Sequence, residues 1–114
     1  MINDLTLPQF QKRWETGEGS YAVLVYTPFC GTCKLALRML DIVSELHPNL
    51  DLYRMNVNHA PQWCEEWEIR SVPSLLIFQS GSLVRKEYAL RSVEQLHTWF
   101  REIQPDKHQL KTRE

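Results

Sequence analysis

The 114-residue sequence predicts an α/β fold, and three observations lead to it. A continuous apolar run at 20–26, a helical pattern at 31–47 and a partly alternating run at 50–57 follow one another as strand, helix and strand, which makes a parallel crossover unit. Farther along, Leu75-Leu76-Ile77-Phe78 and the run at 83–89 flank Gln79-Ser80-Gly81-Ser82. Two apolar runs joined by a tight turn form an antiparallel hairpin. Amphipathic helical segments near both ends of the chain supply cover for these strands.

Taken in order, residues 2–6 offer at most a short first strand, because Pro8 follows at once and suits a first helical turn. A short helix from Pro8 to Thr16 places Leu7, Phe10 and Trp14 on one face; Thr6 or Leu7 caps it, and Gly17 and Gly19 stop it. The next helix starts near Gly31, repeats Leu35, Leu37, Leu40, Ile42, Val43 and Leu46, and ends at His47 because Pro48 cannot continue it. In the strand at 50–57, Leu52, Arg54 and Asn56 alternate with Tyr53, Met55 and Val57, as in a strand with one buried face. The segment at 60–67 reads as a short helix with Trp63 and Trp67 one turn apart, a pair best explained as core. Val93, Leu96, Trp99, Phe100 and Ile103 make a last amphipathic helix, opened by Ser92 with Gln95 as a capping box and closed by Pro105.

Composition narrows the function. A formal net charge of −1 gives no basis for binding a polyanion, so no nucleic acid partner is expected. No run approaches the roughly 18 apolar residues of a membrane span, and Met1-Ile2-Asn3-Asp4-Leu5 lacks the basic start and apolar core of a secretory signal. The expectation is a cytoplasmic protein with no membrane partner. Three cysteines, only two of them close together, argue against a framework of structural disulfides.

Those two, Cys30 and Cys33, sit in Thr27-Pro28-Phe29-Cys30-Gly31-Thr32-Cys33-Lys34, where a strand ends and a helix begins. A helix N-terminus presents unpaired N–H groups and the positive end of the peptide dipole, and so favours a thiolate over a thiol. Two thiols at this spacing close a small disulfide with little backbone movement. In thiol–disulfide exchange the outer thiolate attacks a substrate disulfide and the inner thiol resolves the mixed disulfide. Cys30, at the cap, is the expected nucleophile; Cys33, one turn in and facing the domain body, is the expected resolving thiol.

Two other readings of the pair stay open. Zinc could be held by Cys30 and Cys33 with Cys64 and a histidine such as His59, although Cys64 lacks the second close ligand that structural zinc sites use. The motif could also be incidental in a nonenzymatic scaffold. Cys64 reads as a small buried hydrophobe, and His47, His97 and His108 as surface or packing residues.

Three separated features, in order, resemble the thioredoxin family along nearly the whole chain. Phe29-Cys30-Gly31-Thr32-Cys33-Lys34 is similar to the aromatic-Cys-Gly-X-Cys-Lys active site, Ile69-Arg70-Ser71-Val72-Pro73-Ser74 to the segment ending in a cis-proline, and Gly81 to the hairpin glycine. The resemblance implies a thioredoxin fold, a central mixed β-sheet flanked by helices with its first strand short or absent. The resemblance runs from about Leu5 to Ile103, so the domain is expected over 1–104, and the polar residues after it, 105–114, read as a C-terminal tail. The resemblance further implies a cis Val72-Pro73 bond beside the cysteines, with the Val72 backbone offered to an extended substrate chain. Phe29, Gly31, Thr32, Val72 and Pro73 become the expected substrate-binding residues. Protein disulfides and an unidentified electron donor become the expected partners of a monomer that needs no metal or other cofactor.

The departures from the family pattern carry their own expectations. Leu24 stands where thioredoxins bury the aspartate that takes the proton of the resolving thiol, and Arg54 where they place the lysine that partners it. Arg54 is therefore expected to lack its mate, and Cys33 to lose its proton through solvent. Thr32 replaces a proline, Phe29 a tryptophan, and Tyr88-Ala89 occupies the place of a groove glycine. These changes keep a second function in view, a redox-sensing or non-catalytic interaction module that uses the same groove.

Overall fold

The computed structural model describes residues 2–17 and 19–103; the tail at 105–114, with Pro105 and His108, lies outside the described residues. The chain forms β1 (Asn3–Asp4), α1 (Leu7–Thr16), β2 (Ser20–Tyr26), α2 (Gly31–Ser44) and β3 (Asp51–Asn56). A 3₁₀ turn at Val57–His59 leads to α3 (Pro61–Glu66), β4 (Ser74–Gln79), β5 (Ser82–Glu87) and α4 (Val93–Ile103). The sheet order is β1-β3-β2-β4-β5. β1 and β2 run parallel to β3, while β4 is antiparallel to both β2 and β5. The ends of β2, β3 and β5 and the start of β4 therefore share one edge of the sheet, and the loops leaving that edge carry the expected site.

Both sheet faces are covered. Ala22, Leu24, Leu75 and Ile77 meet Ala36 and Leu40 of α2 and Leu96 and Phe100 of α4. On the other face Val23, Val25, Leu76 and Phe78 meet Phe10 of α1 and Trp63 and Cys64 of α3. The Trp63/Trp67 pair belongs to this second core: Phe10 and Trp63 meet edge to face at 5.1 Å between centroids, and Trp67 meets Phe78 at 5.5 Å. Each such aromatic contact contributes roughly 0.5–1.5 kcal/mol beyond the area it buries.

Local signals set the helix starts. Thr6 Oγ1 accepts from the Gln9 N–H while Gln9 Oε1 accepts from the Thr6 N–H, a complete capping box. At α4, Ser92 Oγ accepts from the Gln95 N–H, but the Gln95 side chain turns one residue farther back, to the Arg91 N–H. The hairpin turn places Ser80 and Gly81 at φ +53° and +82°, the doubly left-handed turn that suits twisted strands. A Cβ on Gly81 would also lie 3.4 Å from the Gly17 Cα, because the end of α1 rests against this turn.

Hydrogen bonding and burial correct four expectations. Helix α2 ends at Ser44 rather than His47, since Glu45, Leu46 and His47 donate to carbonyls three residues back and tighten the chain before Pro48. Its buried face is Cys33, Ala36, Met39, Leu40 and Val43, whereas Leu35, Ile42 and Leu46 are exposed; the apolar repeat is wider than the stripe the sheet can cover. Strand β3 buries Leu52 on one face and Met55 on the other, because it lies inside a sheet covered on both sides. Leu7, expected beside Phe10 and Trp14, is also exposed. His47 is buried, and its Nε2 lies 2.8 Å from His97 Nδ1, tying the end of α2 to α4.

Candidate active site

The turn Thr27-Pro28-Phe29-Cys30 leaves β2 and feeds α2. Pro28 presets the backbone for such a turn, which the Cys30 N–H closes on the Thr27 carbonyl at 3.3 Å. The sulfur of Cys30 then serves as the helix cap, accepting from the Cys33 N–H at 3.2 Å. Thr32 Oγ1 lies 3.1 Å from the same sulfur. Both cysteines are reduced, with Cys30 half-buried and Cys33 fully buried.

The two thiols sit in opposite environments. Hydrogen bonding from the Cys33 thiol, then from the Thr32 hydroxyl, lowers the Cys30 pKa; desolvation opposes them, and the backbone N–H groups of Cys33 and Thr32 add smaller help. Burial first, and then its hydrogen bond to Cys30, pushes Cys33 up to about 11, against a weaker pull from a backbone hydrogen bond with Thr27. No carboxylate is among the groups acting on Cys33. The arrangement holds a ready anion at the surface and a retained proton beneath it.

Thr32→Val tests the hydroxyl. The Cys30 pKa is expected to rise toward its ordinary value, and its alkylation by iodoacetamide near neutral pH to slow roughly two- to tenfold, as one hydrogen bond to a charged sulfur is lost. A pH series of alkylation rates measures the shift. Superimposable curves would mean that the hydroxyl does not act on the thiolate.

The remaining expected residues surround this pair unevenly. Phe29 is 92% exposed beside Cys30 and presents an apolar face to solvent. A side chain built at Gly31 would meet open space. Val72 is half-buried against the second core, and the Val72-Pro73 peptide bond is cis. Pro73 leads directly into β4, whose Ser74 pairs with Val25 two residues before Thr27, which brings this segment to the cysteine edge of the sheet.

The zinc set does not assemble. Cys64 lies in the core on the face opposite α2, where burial raises its pKa, and no group of three or more His, Cys, Asp or Glu among the described residues could hold a metal ion. Leu24 is fully buried beside Ala36 and Leu40. Arg54 is not without a mate, as the sequence suggested: its Nε lies 2.7 Å from Asp4 Oδ1, and its guanidinium sits over the Tyr26 ring. The short first strand supplies that carboxylate. Nothing in the local sequence around Arg54 signals a partner fifty residues away.

Sequence reasoning also missed two contacts. Thr32, expected to meet substrate, touches the nucleophile itself; a hydroxyl two residues past a capping cysteine is the signal that could have been read. Tyr88, noted only as filling a glycine position, donates to the Glu68 carbonyl and accepts from the Arg70 N–H. None of the described helices is long and apolar enough to cross a membrane.

A model of the thioredoxin family matches residues 2–102. Over 77 residues the chain is 44% identical to the thioredoxin-like protein YusE of Bacillus subtilis, covering 68% of this chain and 73% of that protein. It is 30% identical over 102 residues to the thioredoxin of Rickettsia felis, covering 87% of this chain and 95% of that one. The thioredoxin of Rickettsia prowazekii is 28% identical over the same span.

Proposed function

This chain belongs to the thioredoxin family, and on that premise we propose that it exchanges disulfides with proteins through Cys30 and Cys33. The observation that supports this reading best is the pairing of a capping sulfur whose pKa is lowered with a buried thiol held near 11. The Cys30 thiolate attacks one sulfur of a substrate disulfide; that S–S bond breaks, and the departing substrate thiolate takes a proton from water. Cys33 then loses its proton to solvent and attacks Cys30 Sγ. The mixed disulfide breaks, the second substrate sulfur leaves as a thiolate that takes a proton from water, and the protein keeps a Cys30–Cys33 disulfide. Substrate gains two electrons and the protein loses them.

A separate dithiol donor returns the pair to its starting state by the same chemistry. No metal or organic cofactor enters either half. The extended substrate chain lies against Val72 and Pro73, beside Phe29, Gly31 and Thr32. Neither the N–H nor the C=O of Val72 is hydrogen-bonded to a described residue, which leaves both for that chain. A monomer in the reducing cytoplasm suits this cycle, because the pair starts as a dithiol.

A second reading, an interaction module or redox sensor on the same groove, is favoured by Leu24, which leaves Cys33 without a carboxylate to take its proton. Reduction of insulin fuelled by dithiothreitol separates the two. Cys30→Ser abolishes the protein-dependent rate if the oxidoreductase reading holds, and leaves it unchanged if the module reading does.

A further inference from the structure

Helix α3 ends in a left-handed residue, Glu68, at φ +55°. The Ile69 N–H returns to the Cys64 carbonyl at 2.8 Å and the Glu68 N–H to the Glu65 carbonyl at 3.1 Å, the paired bonds of a Schellman end. This motif directs the chain toward Val72 and Pro73. It also leaves the Trp67 and Glu68 carbonyls without helix partners.

Two side chains from β5 and the residue beyond it take up those carbonyls. Lys86 Nζ donates to Trp67 O at 3.1 Å and to Glu68 O at 3.2 Å. The Tyr88 hydroxyl donates to Glu68 O at 3.1 Å and accepts from the Arg70 N–H at 3.2 Å. Tyr88 thus spans the bend, holding the backbone on both sides of Ile69. Among the described residues, no other side chain hydrogen-bonds to the backbone between Ile69 and Ser74. The groove segment is anchored at its far end by β4 and at its near end by this phenol.

We propose that Tyr88, assisted by Lys86, is a positioning residue that holds the 68–70 bend so that the Val72 backbone meets an extended protein substrate in register. The inference rests on the oxidoreductase reading above. It assigns Tyr88 no contact with the reacting sulfurs. An extended chain needs the Val72 N–H and C=O in place, whereas a small disulfide needs only the Cys30 sulfur. The bend therefore matters to one class of substrate more than to the other.

The test uses Tyr88→Phe, which removes one oxygen, with Lys86→Gln as a second variant should the first fold poorly. Single-turnover rate constants of the reduced proteins are measured with insulin and with bis(2-hydroxyethyl) disulfide, at several insulin concentrations. The expected result is a roughly fivefold fall in the insulin-to-small-disulfide ratio, carried by weaker insulin binding rather than by a slower limiting rate, as one or two positioning hydrogen bonds are lost. A ratio within twofold of wild type, or an equal fall with both disulfides, overturns the role of Tyr88 and leaves the oxidoreductase reading standing. A wild-type protein that reduces neither disulfide overturns both.

Discussion

Cys30→Ser is expected to cut insulin reduction by at least ~10³-fold, because serine at neutral pH is a far poorer nucleophile than a thiolate. Cys33→Ser is expected to behave differently. Attack by Cys30 proceeds, but the resolving sulfur is gone, so a mixed disulfide with substrate accumulates and survives denaturing gels run without reductant. The pH dependence sharpens this division of labour. With Cys33 raised to about 11 in the dithiol form, its thiolate fraction at pH 7 is about 10⁻⁴. Burial, the leading cause, persists once Cys30 is tied to substrate. Resolution by the wild type is therefore expected to speed up about tenfold per pH unit between pH 6 and 9. Attack levels off at lower pH, since the Cys30 pKa is lowered. Acid-quenched time courses of the mixed disulfide measure both steps. Resolution that is fast and flat across this range would mean that Cys33 finds a base other than solvent.

Leu24→Asp has the second large effect, and it acts on stability and mechanism together. Leu24 is fully buried with Ala36 and Leu40, one turn along the α2 face from Cys33. Arg54 lies opposite it in the parallel register but is already engaged by Asp4 at 2.7 Å. An introduced carboxylate would be buried without a committed partner, at a cost of roughly 3–5 kcal/mol near neutral pH. Burial raises the folded pKa of that carboxyl above its unfolded value of about 3.9. The neutral acid is tolerated below that pH, and the penalty grows as pH rises through the unfolded pKa toward the folded one. Urea titrations at pH 4 and pH 7 are expected to show the smaller deficit at pH 4. A domain of this size has roughly 5–15 kcal/mol to lose from, so a folded population remains at neutral pH. In that population the carboxyl can take the Cys33 proton, and the steep pH dependence of resolution should flatten. Equal stability at both pH values would place the side chain in contact with water or with Arg54.

Much of this site is legible in the chain because its causes are local. Cys30 and Cys33 are three residues apart at a strand-to-helix join, so the cap, the half-buried outer cysteine and the buried inner one follow from neighbouring residues. The Thr6/Gln9 box and the Ser80-Gly81 turn are equally short-range. Helix α2 departs from its sequence pattern for the opposite reason. Periodicity identifies apolar positions but not how wide a stripe the sheet covers, and Leu35, Ile42 and Leu46 fall outside it.

The sequence by itself determined the thiol pair, the order of strands and helices around it, and the place of Val72 and Pro73 just ahead of β4. Only the tertiary structure decided which groups serve that pair from a distance. Arg54 finds Asp4 because β1 and β3 pair in parallel, and Tyr88 finds Glu68 and Arg70 because β5 runs beside β4. Hydrogen bonds and ion pairs of this kind depend on ångström-scale geometry between segments 18 to 50 residues apart. Propensity and spacing do not encode such distances; packing of the sheet and its two helix layers does.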